Sequence, residues 1–169
     1  SPRPIFAPSD LGKVSGEAVS WDGSQEALAV TGVGVILKDL RTRQQTLIYP
    51  TDGPPPYLSW HRTEPWLGMW ARDPAGGLGD VLVVDVSKAE VLVQAKFQDQ
   101  PGFIFDLGFD GDRFAARFFS ADMLSTCWIE LDARTRTAGT RQCGEPTTRS
   151  GGPWDASFWM NPLGVEVNG

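Results

Sequence analysis

One short phrase recurs along this 169-residue chain: an aromatic residue, a polar turn, then alternating apolar text. The copies are Trp21-Asp22-Gly23, Trp60-His61-Arg62, Phe109-Asp110-Gly111 and Trp154-Asp155-Ala156. Self-similarity at such a period marks a stacked supersecondary unit, one that cannot bury its apolar face alone. A second landmark follows in the segments VILKDLRTRQQTLIY, DVLVVDVSKAEVLVQ and STCWIELDARTRTAG. Each sets period-2 apolar residues on both sides of an acidic turn, with Asp39, Asp85 and Asp132 in register, 46 and 47 residues apart. Two short alternating runs around such a tip form a hairpin.

Each unit therefore reads as an opening strand, a turn, a second strand, a loop and a closing hairpin. The units span roughly 17–51, 56–98 and 103–146, the length of a four-stranded propeller blade, and a shorter one spans 150–169. The N-terminal RPIFAP is a strand that the short unit could borrow. SWDGSQEALAV, LGFDGDRFAARF and VLVVDVSKAEVLV resemble blades of periplasmic and WD-type propellers, without the Gly-His opening or closing Trp-Asp of the WD pattern. The fold expected is all-β, one repeat domain over 1–169: a propeller-like array of about three four-stranded blades plus a partial fourth. The competing arrangement is a meander of two packed sheets. In the array, Trp21, Phe109 and Trp154 are expected at equivalent, largely buried positions.

Composition agrees with many strands and tight turns. Nineteen Gly and thirteen Pro punctuate the text, no stretch keeps a 3.6-residue period, and helix content is expected to be small. Seven Trp and nine Phe suit wedges between blades. A net charge of −6 argues against nucleic acid and anionic membranes, which need clustered Lys and Arg, and suits a basic partner or plain solubility. No run of eighteen apolar residues occurs, so no segment reads as a membrane-spanning helix.

Cys127 and Cys143 are the only cysteines and flank the third hairpin, with fifteen residues between them. Antiparallel strands closing near Asp132-Ala133 bring them opposite each other, and a bridge there is worth about 3 kcal/mol in the chain-entropy model. A disulfide implies an oxidising compartment; two buried thiols in a cytosolic protein are the alternative. The start SPRPIFAP has no initiator Met and looks like a mature end left by signal-peptide removal, as a trimmed chain also would.

Catalytic signals are thin. The single histidine, His61, lies beside Arg62 in LSWHRTEPW, where a neighbouring cation disfavours the imidazolium a general base must form. Neither a His cluster nor a Cys-x-x-Cys appears, so no metal and no cofactor is expected. Asp106, Asp110 and Asp112 are spaced somewhat like calcium ligands but lack the closing Glu, and turn aspartates explain them more simply. Gly32 and Gly34 sit inside a strand pattern and suit a bulge better than a phosphate cradle. What remains is a rigid acidic scaffold presenting loops, which makes binding the default class.

Taken whole, from SPRPIFAPSDLGKVSGEAVSWDG through DVSKAEV and FFSADMLSTCW to FWMNPLGVEVNG, the chain resembles the periplasmic immunity proteins of type VI secretion peptidoglycan amidase effectors. The resemblance implies a non-enzymatic, stoichiometric inhibitor that covers the Cys-His cleft of a secreted cell-wall amidase. It also implies a loop serine approaching the amidase histidine, since a hydroxyl replaces substrate or water hydrogen bonds without offering a scissile amide. Ser87 with Lys88, and Ser120, Asp122, Met123 and Ser125, are the candidate partner-binding loops. The rival reading is a carbohydrate- or cell-wall-binding module with Trp60, Trp66 and Trp70 as an exposed stacking platform. An enzyme using acidic groups such as Asp106 and Asp110 ranks last.

Overall fold

The computed structural model describes residues 14–101, 104–120 and 124–144. Among them lie thirteen strands and no helix. Blade 1 is a meander of β1 (Val14–Val19), β2 (Gln25–Val30), β3 (Gly34–Asp39) and β4 (Gln45–Pro50). Blade 2 repeats it with β5 (Tyr57–Trp60), β6 (Trp66–Ala71), β7 (Gly77–Asp85) and β8 (Glu90–Pro101). Blade 3 is built from β9 (Ile104–Asp110), β10 (Arg113–Phe119), β11 (Thr126–Asp132) and β12 (Thr137–Ala138), with β13 (Gln142–Gly144) also paired to β11. Every pairing is antiparallel. The opening strands β1, β5 and β9 pack near one another, while the outer strand β8 meets β11 and β12 of the next sheet. The two-sheet meander is thereby replaced by three sheets side by side.

The period-2 alternation of a strand decides what fills the wedges. From blade 2, Leu67, Met69, Leu82 and Val84 face Ala27, Ala29, Val35 and Leu37 of blade 1. The intervening residues Trp66, Trp70, Val81 and Val83 face Leu107, Phe109, Phe114, Ile129 and Leu131 of blade 3. The middle sheet is thus buried on both faces, and β6 is buried at every position. Gly68 makes room for one of the largest of these side chains: a Cβ there would stand 2.3 Å from Phe114, which is fully buried.

The closing hairpins are copies in atomic detail. Asp39 Oδ1 accepts the N–H groups of Arg41 (2.9 Å) and Thr42 (2.9 Å). Asp85 does the same for Ser87 (2.9 Å) and Lys88 (3.2 Å), and Asp132 for Arg134 (3.0 Å) and Thr135 (3.0 Å). Four residues after each aspartate, Arg43, Ala89 and Arg136 take left-handed φ of 66°, 51° and 57°. The residue after each aspartate ties the hairpin to the earlier turn of its blade. Leu40 N–H donates to Ser24 O (3.0 Å), Val86 to Pro65 O (2.9 Å) and Ala133 to Asp112 O (2.9 Å).

The aromatic phrase aligns less well. Trp60 and Phe109 lie within ladders, paired with Leu67 and Phe114, and Phe109 is buried as expected. Trp21 is instead 59% exposed. Ser20 N–H closes onto Gln25 O (2.8 Å) as His61 N–H closes onto Trp66 O (2.9 Å), so Val19 is the counterpart of Trp60 and Trp21 falls inside the turn. Trp154, the short unit 150–169 and RPIFAP lie outside the described residues.

Cys127 and Cys143 stand opposite each other in the β11–β13 pairing and form the disulfide, with sulfurs 2.06 Å apart. The outer edge of blade 3 is split between β12 and β13, and the bridge holds its far half to β11. Replacing both cysteines by alanine is expected to lower unfolding free energy by about 3 kcal/mol in urea titration. In a second test, Gly68→Ala should cost about 1–3 kcal/mol by overpacking against Phe114; an unchanged urea midpoint would refute the close fit.

Candidate functional site

Successive antiparallel strands reverse direction, so the turns divide between two ends of the blades. The β1–β2, β3–β4, β5–β6, β7–β8, β9–β10 and β11–β12 turns share one end, the turn end, where the hydrogen bonds from Leu40, Val86 and Ala133 join them in pairs. The β2–β3, β6–β7 and β10–β11 loops share the other, the link end, with the β4–β5 connection. There Gly32 N–H donates to Gly53 O (3.1 Å) and Thr51 N–H to Val33 O (3.1 Å).

This division separates the serine candidates. Ser87 and Lys88 are exposed at the turn end, on the tip of blade 2. Ser120 and Ser125 lie at the link end, and Asp122 and Met123 lie outside the described residues. The two sets do not form one surface. Their local chemistry differs as well. Ser120 N–H donates to Ser125 O (2.9 Å) and Ser120 Oγ accepts from Ser125 N–H (3.1 Å), the closure that Ser20 makes with Gln25 in blade 1 (2.8 and 3.1 Å). Ser87 donates its hydroxyl hydrogen to Asp85 Oδ1 at 2.6 Å. A hydroxyl has one hydrogen and two lone pairs, so Ser87 Oγ is left as an acceptor on an exposed tip.

The tip of blade 2 also differs in sequence from its neighbours. Blades 1 and 3 carry Arg41-Thr42-Arg43 and Arg134-Thr135-Arg136 where blade 2 carries Ser87-Lys88-Ala89. A compact tip stands between two bulky cationic ones.

His61 belongs to a latch between blades 2 and 3. Its Nδ1 accepts the N–H groups of Thr63 (3.1 Å) and Glu64 (2.9 Å), so the ring hydrogen sits on Nε2 and is donated to Asp112 Oδ1 at 3.1 Å. The ring packs edge-on against Trp66 and Phe109 and is 5% exposed. Both nitrogens are engaged, which leaves no lone pair for base catalysis. Arg134 completes the latch by pairing with Asp112 (3.0 Å) and Glu64 (3.1 Å) while its guanidinium lies 4.7 Å from the Trp66 ring centre. Arg136 reaches Glu90 of blade 2 at 2.5 Å.

The three aspartates with calcium-like spacing do not converge. Asp106 pairs with Arg117 in the sheet, Asp110 with Arg113 (3.5 Å), and Asp112 with Arg134. No group of three metal-ligating side chains occurs among the described residues. Hydrogen bonding and charge from Arg134 hold the Asp112 carboxyl below its ordinary range. Burial pushes Asp106 up, against the opposing pull of Arg117. Backbone N–H donors lower Asp22 and Asp39.

Two of the three tryptophans of the rival reading's platform are buried. Trp70 is 1% exposed and donates Nε1–H to Leu78 O (2.5 Å), and Trp66 fills the wedge beneath Arg134. Trp60 is half-buried, with Nε1–H on Ala18 O at 2.8 Å. Stacking between blades consumed the ring faces that a sugar would need. The residues whose roles sequence reasoning missed are Glu64, Asp112 and Arg134, the last meeting Asp112 and Glu64 across 22 and 70 positions of chain, and Trp21. The repeated Arg-Thr-Arg was the one readable signal.

No protein-family model matches this chain, and no curated protein matches it. Solved structures do. The chain is similar to the β-propeller domain of Cps50 (Swd1) from Myceliophteria thermophila, at TM-score 0.59 and 16% identity over 90% of this chain and 43% of that one. It is similar to the WD40 repeats of RRP9, at TM-score 0.57 and 12% identity over 83% of this chain and 41% of that one. For U3-55K the values are 0.56, 11%, 83% and 42%. Such likeness shows the fold, an all-β propeller array of four-stranded blades, and the chain spans less than half the length of each of these structures.

Lowered carboxyls at Asp22, Asp39 and Asp112 stabilise the fold fully above the unfolded value near pH 4, and that contribution is lost as pH falls through the lower folded values. Asp106 acts oppositely: its raised value means that acidification relieves a cost. The urea midpoint should therefore drop below about pH 4, less steeply for Asp112→Asn, whereas Asp106→Asn should remove a gain in stability that the wild type shows as pH falls toward about 4. Because Asp112 is well solvated, its part should stay under about 1 kcal/mol. Parallel curves for wild type and Asp112→Asn would contradict a charged latch.

Proposed function

We propose that this chain is an immunity protein that works in the periplasm by binding a secreted peptidoglycan amidase and covering its Cys-His cleft, with the Ser87-Lys88 tip as the entering element. The resemblance supplies the partner class, and the disulfide of blade 3 agrees with an oxidising, extracytoplasmic compartment. One observation carries the choice of tip: the 2.6 Å bond from Ser87 Oγ to Asp85. It fixes the hydroxyl hydrogen inward, so the oxygen meets an incoming imidazole N–H as an acceptor. A serine there satisfies the amidase histidine and offers no carbonyl for attack. Ser120 lacks this role because its hydroxyl closes its own loop at the opposite end. The middle blade is also the best-supported place for a plug. Buried on both faces, it loses little conformational freedom when its tip is immobilised. The net charge of −6 favours approach to a basic enzyme. The rival carbohydrate reading lost its support when Trp66 and Trp70 proved buried.

Inhibition of the amidase encoded beside this protein tests the reading. Ser87→Arg should weaken inhibition by at least about thirtyfold, the scale of a central hot spot, with unfolding unchanged. Ser120→Arg should leave inhibition intact if the protein folds normally. Undiminished peptidoglycan hydrolysis in the presence of excess wild-type protein would overturn the proposal.

A further inference from the structure

The tripeptide Arg-Thr-Arg occupies the same positions of the same aspartate-capped turn in blades 1 and 3, with Arg43 and Arg136 both left-handed. In blade 3 both arginines reach back to carboxylates of the preceding blade, Arg134 to Glu64 at 3.1 Å and Arg136 to Glu90 at 2.5 Å. Blade 1 has no preceding blade among the described residues. Its Arg41 and Arg43 are exposed and enter no ion pair there.

Next to them, joined by the bond from Leu40 N–H to Ser24 O, the β1–β2 turn exposes Trp21 (59%) and Val19 (52%). That turn is rigid. Asp22 Oδ1 accepts from Ser20 Oγ (2.8 Å), Ser24 N–H (3.0 Å) and Ser24 Oγ (2.7 Å). An indole on a fixed turn gives up little entropy on docking, and Trp beside Arg is the composition that concentrates binding energy at interfaces.

We infer that this corner of blade 1 is a second docking point for the inhibited enzyme. Trp21 enters an apolar pocket of the partner, and Arg41 and Arg43 take carboxylates beside it as Arg134 and Arg136 take Glu64 and Glu90. The inference rests on the amidase reading for the partner's identity. The geometry of blade 3 argues for carboxylates as the complementary groups, because a guanidinium fork on this turn already holds them. A second copy of this chain fits poorly. Its blade 3 would bring Gly111 and Thr137 to the places where blade 2 offers Glu64 and Glu90. The corner lies at the turn end, as Ser87 does, so one partner can touch both.

Binding kinetics of the amidase on immobilised protein test this. Trp21→Ala should speed dissociation by about thirtyfold, and Trp21→Phe should retain most of the affinity. Arg41→Glu with Arg43→Glu should slow association by about tenfold at low salt, a difference that vanishes near 1 M salt, where screening is nearly complete. Arg72→Glu with Lys96→Glu makes the same change in net charge away from the corner and should not slow association. Wild-type kinetics in both the Trp21→Ala and the double Arg variant would overturn the docking point while leaving the Ser87 plug standing. An equal slowing in the Arg72/Lys96 control would overturn it too, by reducing the effect to net charge. Absence of binding by the wild-type protein would instead overturn the amidase reading, and this partner with it. Each variant must melt within a few degrees of wild type, and Trp21→Phe keeps the indole claim testable if Trp21→Ala does not.

Discussion

Everything in this chain leans on a middle sheet that must satisfy two neighbours at once. Alternate residues of β6 and β7 serve blade 1 and blade 3, so a register slip of one residue would send Trp66 and Trp70 into the aliphatic wedge and Leu67 and Met69 into the aromatic one. The wedges differ in width: small residues such as Ala27 and Ala29 line one, while Phe114 and Phe118 fill the other. Gly68 is the clearest sign of that constraint, because the space its side chain would occupy is taken by the ring of Phe114. Close packing of this kind specifies one register where apolar content alone would permit several.

Polar groups repeat the same logic at the turn end. Each aspartate-capped tip satisfies its own backbone donors and then donates one N–H to the earlier turn of its blade, so tips are fixed relative to the sheet beneath them. Between blades 2 and 3 the link becomes ionic, through Arg134, Asp112, Glu64 and His61. The charged groups among them, Arg134, Asp112 and Glu64, are partly exposed, so their contribution to stability is modest. Their larger effect is positional: they hold the blade 3 tip against blade 2.

Much of the fold was legible because the repeat is written in residues with local jobs. Asp39, Asp85 and Asp132 cap their own turns, and such a function needs only a few neighbouring residues, so it survives as a sequence period. Cys127 and Cys143 were readable for the same reason, since one hairpin sets their distance. The aromatic phrase misled at Trp21, where a similar word falls inside the turn because the β1–β2 loop is longer than the two-residue β9–β10 turn. The choice between wedge and exposed platform for Trp60, Trp66 and Trp70 was harder to read. Which face of a strand is solvent depends on whether another blade covers it, and that is a property of stacking and not of the strand.

The candidate site was partly legible too. Ser87 was readable as a tip residue, but its distinction from Ser120 was not, because the two hydroxyls differ in the partners their folded loops give them. One hydrogen is spent on Asp85, and the other serine accepts from the backbone of its own loop. The same aspartate that shapes all three tips therefore has a second consequence in blade 2 alone. In blades 1 and 3 the residue two positions after the cap is a cation, Arg41 or Arg134; in blade 2 it is Ser87, whose hydroxyl folds back onto the cap and turns its lone pairs outward. A structural device common to three blades thereby carries, in blade 2, the serine hydroxyl on which the proposed function rests.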